Sequence, residues 1–385
     1  MSVTHSFFRK VFTRYFNIGF GTPRQDVCST CIQITEQIKH EKSVAEKQKL
    51  MTNLRIHKLR AKAFFLKLRE ENDDLLTLSF DCQKNLPLPK VADQAAYYSR
   101  QLYLYNFTAV IGSSHSVLQK SNVRSYLWTE DISAKSSNEI SSAVYHCLNS
   151  FDLHNIKTVR LMADGCGGQN KNSIMIGMVS KWFSEAPATL KRVEIIFPVT
   201  GHSFLPADRV FALTEKRVRK IETIVKPEEY ENIISEHAEI FKLGTEVPIY
   251  DFRSAVKETL KDVSRWHFQI TKVKRVVLKR GKTTRRILAR GELSYQNDTG
   301  VAKCLLRPTR NFTHLVPDQL SVGVKVTEAK LNDVKKLLIK HFGQKWLQLD
   351  YLSFYRNIFE RDSNVETRED DACCEQEMEE ILDFV

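Results

Sequence analysis

The chain predicts an α/β fold: a mixed sheet flanked by helices, preceded by a helical element and followed by a basic α+β region. Three observations predict it. Apolar runs of strand length begin at Leu75 and recur through residue 199. The first three follow one another with no helix between them, and the later ones alternate with helical stretches, so antiparallel and parallel pairing should mix. At 385 residues, 42% of them hydrophobic, the chain is long enough to bury a core in more than one domain.

Residues 1–72 read as helical. A short helix is expected from Phe7 to Phe16. Residues 32–71 hold no Pro or Gly and are rich in Lys, Glu, Gln, Leu and Ala, which predicts one long helix or a hairpin turning near residues 42–45. Residues 73–225 form the predicted core. Its strands lie at 75–81, 100–112, 123–129, 157–163 and 191–199, with a loop broken by Pro87 and Pro89 after the first. Ser136-Ser137-Asn138-Glu139 caps a helix through Cys147; further helices run from Asn170 to Trp182 and from Ala207 to Ile221. Residues 226–360 form a basic C-terminal region. Within it 226–265 read as helical and charged, 272–290 as a hairpin turning at Gly281-Lys282, and 326–359 as helical. Residues 361–385 read as an acidic, disordered tail.

The net charge is +12, but the tail alone carries ten Asp/Glu against two Arg, a net of −8, which leaves +20 on the rest. A basic body suggests a polyanionic partner, most simply DNA, and hence a nuclear protein, although a merely soluble basic surface explains the same count. No run of eighteen apolar residues exists, so no membrane partner is expected. The eight cysteines are scattered and do not form a disulfide framework; reducing surroundings fit them better.

Carboxylates close several strands. Asp81 ends Leu76-Thr77-Leu78-Ser79-Phe80-Asp81. Asp164 ends Thr158-Val159-Arg160-Leu161-Met162-Ala163-Asp164, and Asp208 opens the helix after the fifth strand. The order β-β-β-α-β-α-β-α, with acids at those places, is the order of the RNase H-like fold. Converging carboxylates repel unless a cation lies between them, which is the logic of a Mg²⁺ or Mn²⁺ site. Asp81 and Asp164 would coordinate the metal, with Asp81 bridging two ions ~4 Å apart. Asp208 is the preferred third acid, with Glu215 two helical turns on as its rival. Each acid also reads as a plain turn or helix cap. His202, just ahead of that helix, could position water, contact phosphate or bind metal, or could serve the turn.

At these residues the chain resembles a family of transposon-derived proteins of invertebrate genomes. The shared pattern spans most of residues 10–225 and includes Asp26-Val27-Cys28-Ser29-Thr30-Cys31, Ser79-Phe80-Asp81-Cys82-Gln83, Asp164-Gly165-Cys166-Gly167-Gly168-Gln169-Asn170-Lys171-Asn172, and Gly201-His202-Ser203 through Asp208-Arg209-Val210-Phe211. The resemblance implies a DDE-type transposase or integrase with an RNase H-like core, cutting or joining DNA with a divalent metal. It also implies that the chain begins within the family's pattern, without an upstream DNA-targeting domain, which argues against autonomous transposition. The rival expectation is a domesticated, catalytically silent protein that binds DNA or a protein. A phosphate-binding NTPase using Lys171 fits poorly, because residues 165–172 lack the Gly-Lys-Ser/Thr ending.

Three further groups complete the expected sites. Gln169, Asn170, Lys171 and Asn172 offer donors to phosphates or bases, unless they merely cap the turn. Lys274, Arg275, Lys279, Arg280, Arg285 and Arg286 interleave with apolar residues, so one face of the hairpin could pack while the other meets phosphates. Charge that protects an edge strand gives the same pattern. Cys28-x-x-Cys31 is half of a Zn²⁺ motif, with His57, His40 or His5 as candidate partners, or else two plain buried thiols. A homo-oligomer is compatible with all of this.

Overall fold

The computed structural model describes residues 3–16, 27–281 and 286–362. Residues 363–385 of the acidic tail and Arg285 lie outside them, whereas Arg361 and Asp362, read as part of that tail, end a helix. The chain divides into two compact units, Met1–Lys58 and Leu59–Val385. The first holds α1 (His5–Tyr15), α2 (Ser29–His40) and the start of α3 (Val44–Arg69). The break between α2 and α3 falls next to the expected hairpin turn.

The second unit is built on one nine-stranded sheet. Its first strands are β1 (Leu75–Cys82), β2 (Leu86–Leu88), β3 (Leu102–Ile111) and β4 (Val123–Thr129), with the short α4 (Gln94–Tyr97) ahead of β3. Then come α5 (Ser137–Asn149), β5 (Thr158–Ala163), α6 (Ser173–Glu185), β6 (Arg192–Ile196) and α7 (Pro206–Val218). The chain continues through α8 (Pro227–Ser235), β7 (Glu239–Lys242), α9 (Phe252–Thr259), β8 (Arg275–Arg280), β9 (Ile287–Glu292), α10 (Glu328–Phe342) and α11 (Ser353–Asp362). The sheet order is β7-β4-β3-β1-β5-β6-β8-β9, with β2 paired to β3. β1 is antiparallel to β3 and parallel to β5, and β5 is parallel to β6.

Alternation along the strands sends side chains to two apolar layers. Leu78 and Phe80 join Phe107, Val159, Leu161, Val193 and Ile195 against α5, α6 and α9. Leu102, Leu104, Val110 and Leu127 instead meet Val210 and Phe211 of α7, Tyr230 and Ile234 of α8, and residues of α10 and α11. Gly177 lets α6 approach α9: a Cβ there would lie 2.5 Å from a Val256 methyl carbon. The Ser136–Glu139 capping box forms as predicted, with the Ser136 N–H donating to Glu139 Oε2 at 3.0 Å.

Three regions differ from the sequence reading. The stretch expected to be a Pro-broken loop after the first strand holds β2, paired antiparallel with β3, and the start of α4. The hairpin expected to contact phosphate is part of the main sheet, because β8 pairs antiparallel with β6. Val276, Val277 and Leu278 are buried on both faces, as a run of three apolar residues permits in an interior strand. Residues 226–265, read as helical throughout, contain β7, a four-residue strand parallel to β4. Pairing with an existing sheet edge overrides local preference over so short a stretch.

Candidate active centre at the end of β1 and β5

The register of β1 on β5 runs to Phe80 opposite Ala163, so the next positions on each strand are Asp81 and Asp164. Phe80 and Ala163 belong to the layer under α5 and α6. Alternation therefore turns Asp81 and Asp164 to the opposite face, where α7 packs. Asp208 lies in the first turn of α7. The turn before α7 is closed by the His202 N–H donating to the Val199 carbonyl at 2.8 Å, with Gly201 at φ +77° supplying the left-handed position. His202 sits half-buried in that turn.

A short amide bond steadies each carboxylate. The Cys82 N–H donates to Asp81 Oδ1 at 2.7 Å. Asn170 Nδ2 donates to Asp164 Oδ1 at 2.5 Å, and the Cys166 N–H reaches the same oxygen at 3.3 Å. The Leu205 N–H donates to Asp208 Oδ2 at 2.7 Å, so Asp208 also caps its own helix. Among the described residues, no salt bridge reaches any of the three acids.

The three acids repel one another. Burial first, then the Asp164 charge, push Asp81 up to about 7; Asp208 adds to the rise, while the Cys82 N–H and Lys135 oppose it. Burial and Asp164 likewise raise Asp208, against the Leu205 N–H. The Cys82 and Cys166 thiols are pushed up as well, chiefly by burial and by the same aspartates. Asn170 is fully buried, and its Oδ1, an acceptor beside Asp164, has no hydrogen-bond donor. That oxygen is a signal the sequence does not reveal. The acids are not drawn tightly together: among the described residues they do not form a set whose oxygens all lie within 4.8 Å of one another.

The residues expected to contact phosphate divide into two kinds. Arg275 is buried, with NH1 2.7 Å from Glu194 and NH2 2.7 Å from Asp298. Arg280 donates to the carbonyls of Phe183, Ala186, Pro187 and Leu190 at the end of α6 and stacks on Phe183. Both guanidiniums serve the fold. Asn172 caps α6 by accepting from the Met175 N–H at 2.9 Å. Lys171 donates to the Thr271 carbonyl at 2.7 Å and lies 5.3 Å over Phe197; burial and Lys274 pull it down to about 8. Gln169, Lys274 and Lys279 are half-buried and Arg286 is exposed.

Cys28, Cys31 and His57 come together within the first unit. Their ligand atoms lie within 4.8 Å of one another, and Cys28 Sγ is 3.3 Å from His57 Nε2. His57, rather than His5 or His40, is the partner of the pair. This cluster can hold a metal ion. No helix among the described residues is long and apolar enough to cross a membrane.

No curated protein matches the chain. Residues 108–285 are similar to the family described as Domain of unknown function, DUF7869, a region that holds Asp164 and Asp208 but not Asp81.

Proposed function

We propose that this protein is a metal-dependent phosphoryl-transfer enzyme of the DDE type, acting on DNA with Asp81, Asp164 and Asp208. One observation carries the reading: the β1–β5 register sets Asp81 beside Asp164 on the sheet face covered by the helix of Asp208. The strand order β4-β3-β1-β5-β6, with only β3 antiparallel to its neighbours, supports an RNase H-like core. The donor set fits Mg²⁺ or Mn²⁺: three carboxylates and the donor-less Asn170 oxygen are all hard ligands. When bound, a divalent cation supplies charge that activates the attacking hydroxyl and stabilises the leaving oxygen. Asn170 holds one oxygen of Asp164 in place, and the Cys82 amide does the same for Asp81. Lys171, Lys274, Lys279 and Arg286 are the cations left to follow a phosphate backbone. For the cluster at Cys28, Cys31 and His57 the proposed ion is Zn²⁺.

The test is cleavage of end-labelled duplex DNA with Mn²⁺. The wild-type chain should nick it, and Asp81→Asn and Asp164→Asn should lower the rate at least ~1000-fold. No metal-dependent nicking by the wild type would end the proposal. A second reading, a silent DNA-binding protein, draws on the capping role of Asp208, which occupies one of its oxygens. It predicts DNA affinity indifferent to both substitutions and to chelation.

A further inference from the structure

The first unit has no apolar core of its own. Among its described residues, 3–16 and 27–58, the only buried side chains are Cys28 and Cys31. α1 buries nothing and α2 buries only Cys31. The first buried residue of α3 is Ala61, beyond the unit. Large apolar side chains stay open instead: Val44 is 73% exposed and Met51 55%. Ordering a chain costs ~1–2 kcal/mol per residue, and burial of apolar area normally offsets it. Here that term is nearly missing.

Donor atoms occupy the place of the missing core. Cys28 occupies the residue just ahead of α2, without a side-chain capping bond, and Cys31 lies in its first turn, so both sulfurs sit at one helix end. His57 reaches them from α3, and the sulfur–imidazole approach of 3.3 Å fastens the two helices together. Two sulfurs and an imidazole are borderline-soft donors of the kind that structural zinc sites use. In small units of this type, metal binding and folding are one event.

We propose that a zinc ion held by Cys28, Cys31 and His57 replaces the hydrophobic core of this unit, so that α2 and the start of α3 are ordered only while the ion is bound. The proposal rests on the zinc reading above and adds that folding depends on it. The test uses the full chain. Elemental analysis should find about one zinc per chain, absent from Cys28→Ser/Cys31→Ser. Cobalt(II) substitution should give the absorbance of a tetrahedral thiolate site, lost in His57→Ala and kept in His57→Cys. Hydrogen exchange of residues 27–58 should then speed up ~100-fold on chelation, with β1 and β5 unchanged. Absence of zinc, or a Cys28–Cys31 disulfide in its place, overturns both readings. Zinc bound normally, with exchange in 27–58 indifferent to chelation or with β1 and β5 loosening equally, overturns the folding claim alone.

Discussion

Two groups of carboxylates lie along β5 and its neighbours, and the protein treats them in opposite ways. At Glu194 every acid has a partner. Its oxygens lie 3.0 Å from Arg160 Nε, 2.5 Å from Arg192 NH2 and 2.7 Å from Arg275 NH1. Asp298 joins Arg192, Arg275 and Arg290, while Glu70 and Glu292 complete a set of four acids against four arginines. Burial alone would raise Glu194, but Arg160, Arg192 and Arg275 outweigh it and hold the carboxyl near 2. Four residues on from Arg160, just past the end of β5, Asp164 faces Asp81 and Asp208, and among the described residues no arginine forms a salt bridge with them. Burial and like charge push Asp81 up to about 7. One group is neutralised within the chain; the other keeps its like charges unbalanced. Strain of this kind is expected at functional sites.

The comparison breaks first at Glu194. Glu194→Gln takes from Arg160, Arg192 and Arg275 the acid they share, leaving them only Glu70 and Asp298, and should cost about 3–5 kcal/mol in urea unfolding. A neutral result would mean that the network is decoration. The same group fixes an acid limit. Because its folded pKa is depressed, its contribution is present above the ordinary glutamate range near pH 4.5 and is lost as pH falls toward 2. A loss of about 2–3 kcal/mol in that window, absent from Glu194→Gln, is expected.

Asp81 should behave with the opposite sign. Its raised pKa favours the folded state at low pH, and that advantage disappears as pH rises through 7. Without metal, Asp81→Asn should therefore stabilise the protein by about 1–2 kcal/mol at pH 8 and change little at pH 4. Destabilisation at pH 8 would show that the acids do not strain one another. The smallest effect separates the cations. Lys274→Ala and Lys279→Ala should each lower the salt slope of DNA binding by ~1 with stability nearly unchanged. Arg280→Ala should leave the slope alone and lower the melting temperature, since its donors bond α6 carbonyls.

Much of the core was legible because strand and helix periods differ and the ends carry strong signals. β4 falls on its expected limits, β1 extends one residue past them, and Ser136 and Glu139 cap α5 as read. Cys28 and Cys31 were legible from their two-residue spacing, but the choice of His57 over His5 and His40 was not; it follows from the break between α2 and α3 that returns the chain to the pair. The fates of the basic residues were not. In sequence, Arg275 and Arg280 look like Lys274 and Lys279; only the pairing of β8 with β6 buries the first beside Glu194 and brings the second under α6. Glu194 itself sits within an apolar run and gives no hint of its three arginines. Asn170 and Asn172 look alike too, yet one touches Asp164 and the other caps α6.

The place of β1 bears on how the molecule can be dissected. β1 lies between β3 and β5, yet residues 108–285 begin inside β3 and stop between β8 and β9. A fragment cut to those limits would open the sheet at its middle, leaving two raw strand edges that invite aggregation. It would also carry Asp164 and Asp208 without Asp81. Recombinant pieces intended to fold should start ahead of Leu75 and run beyond Glu292.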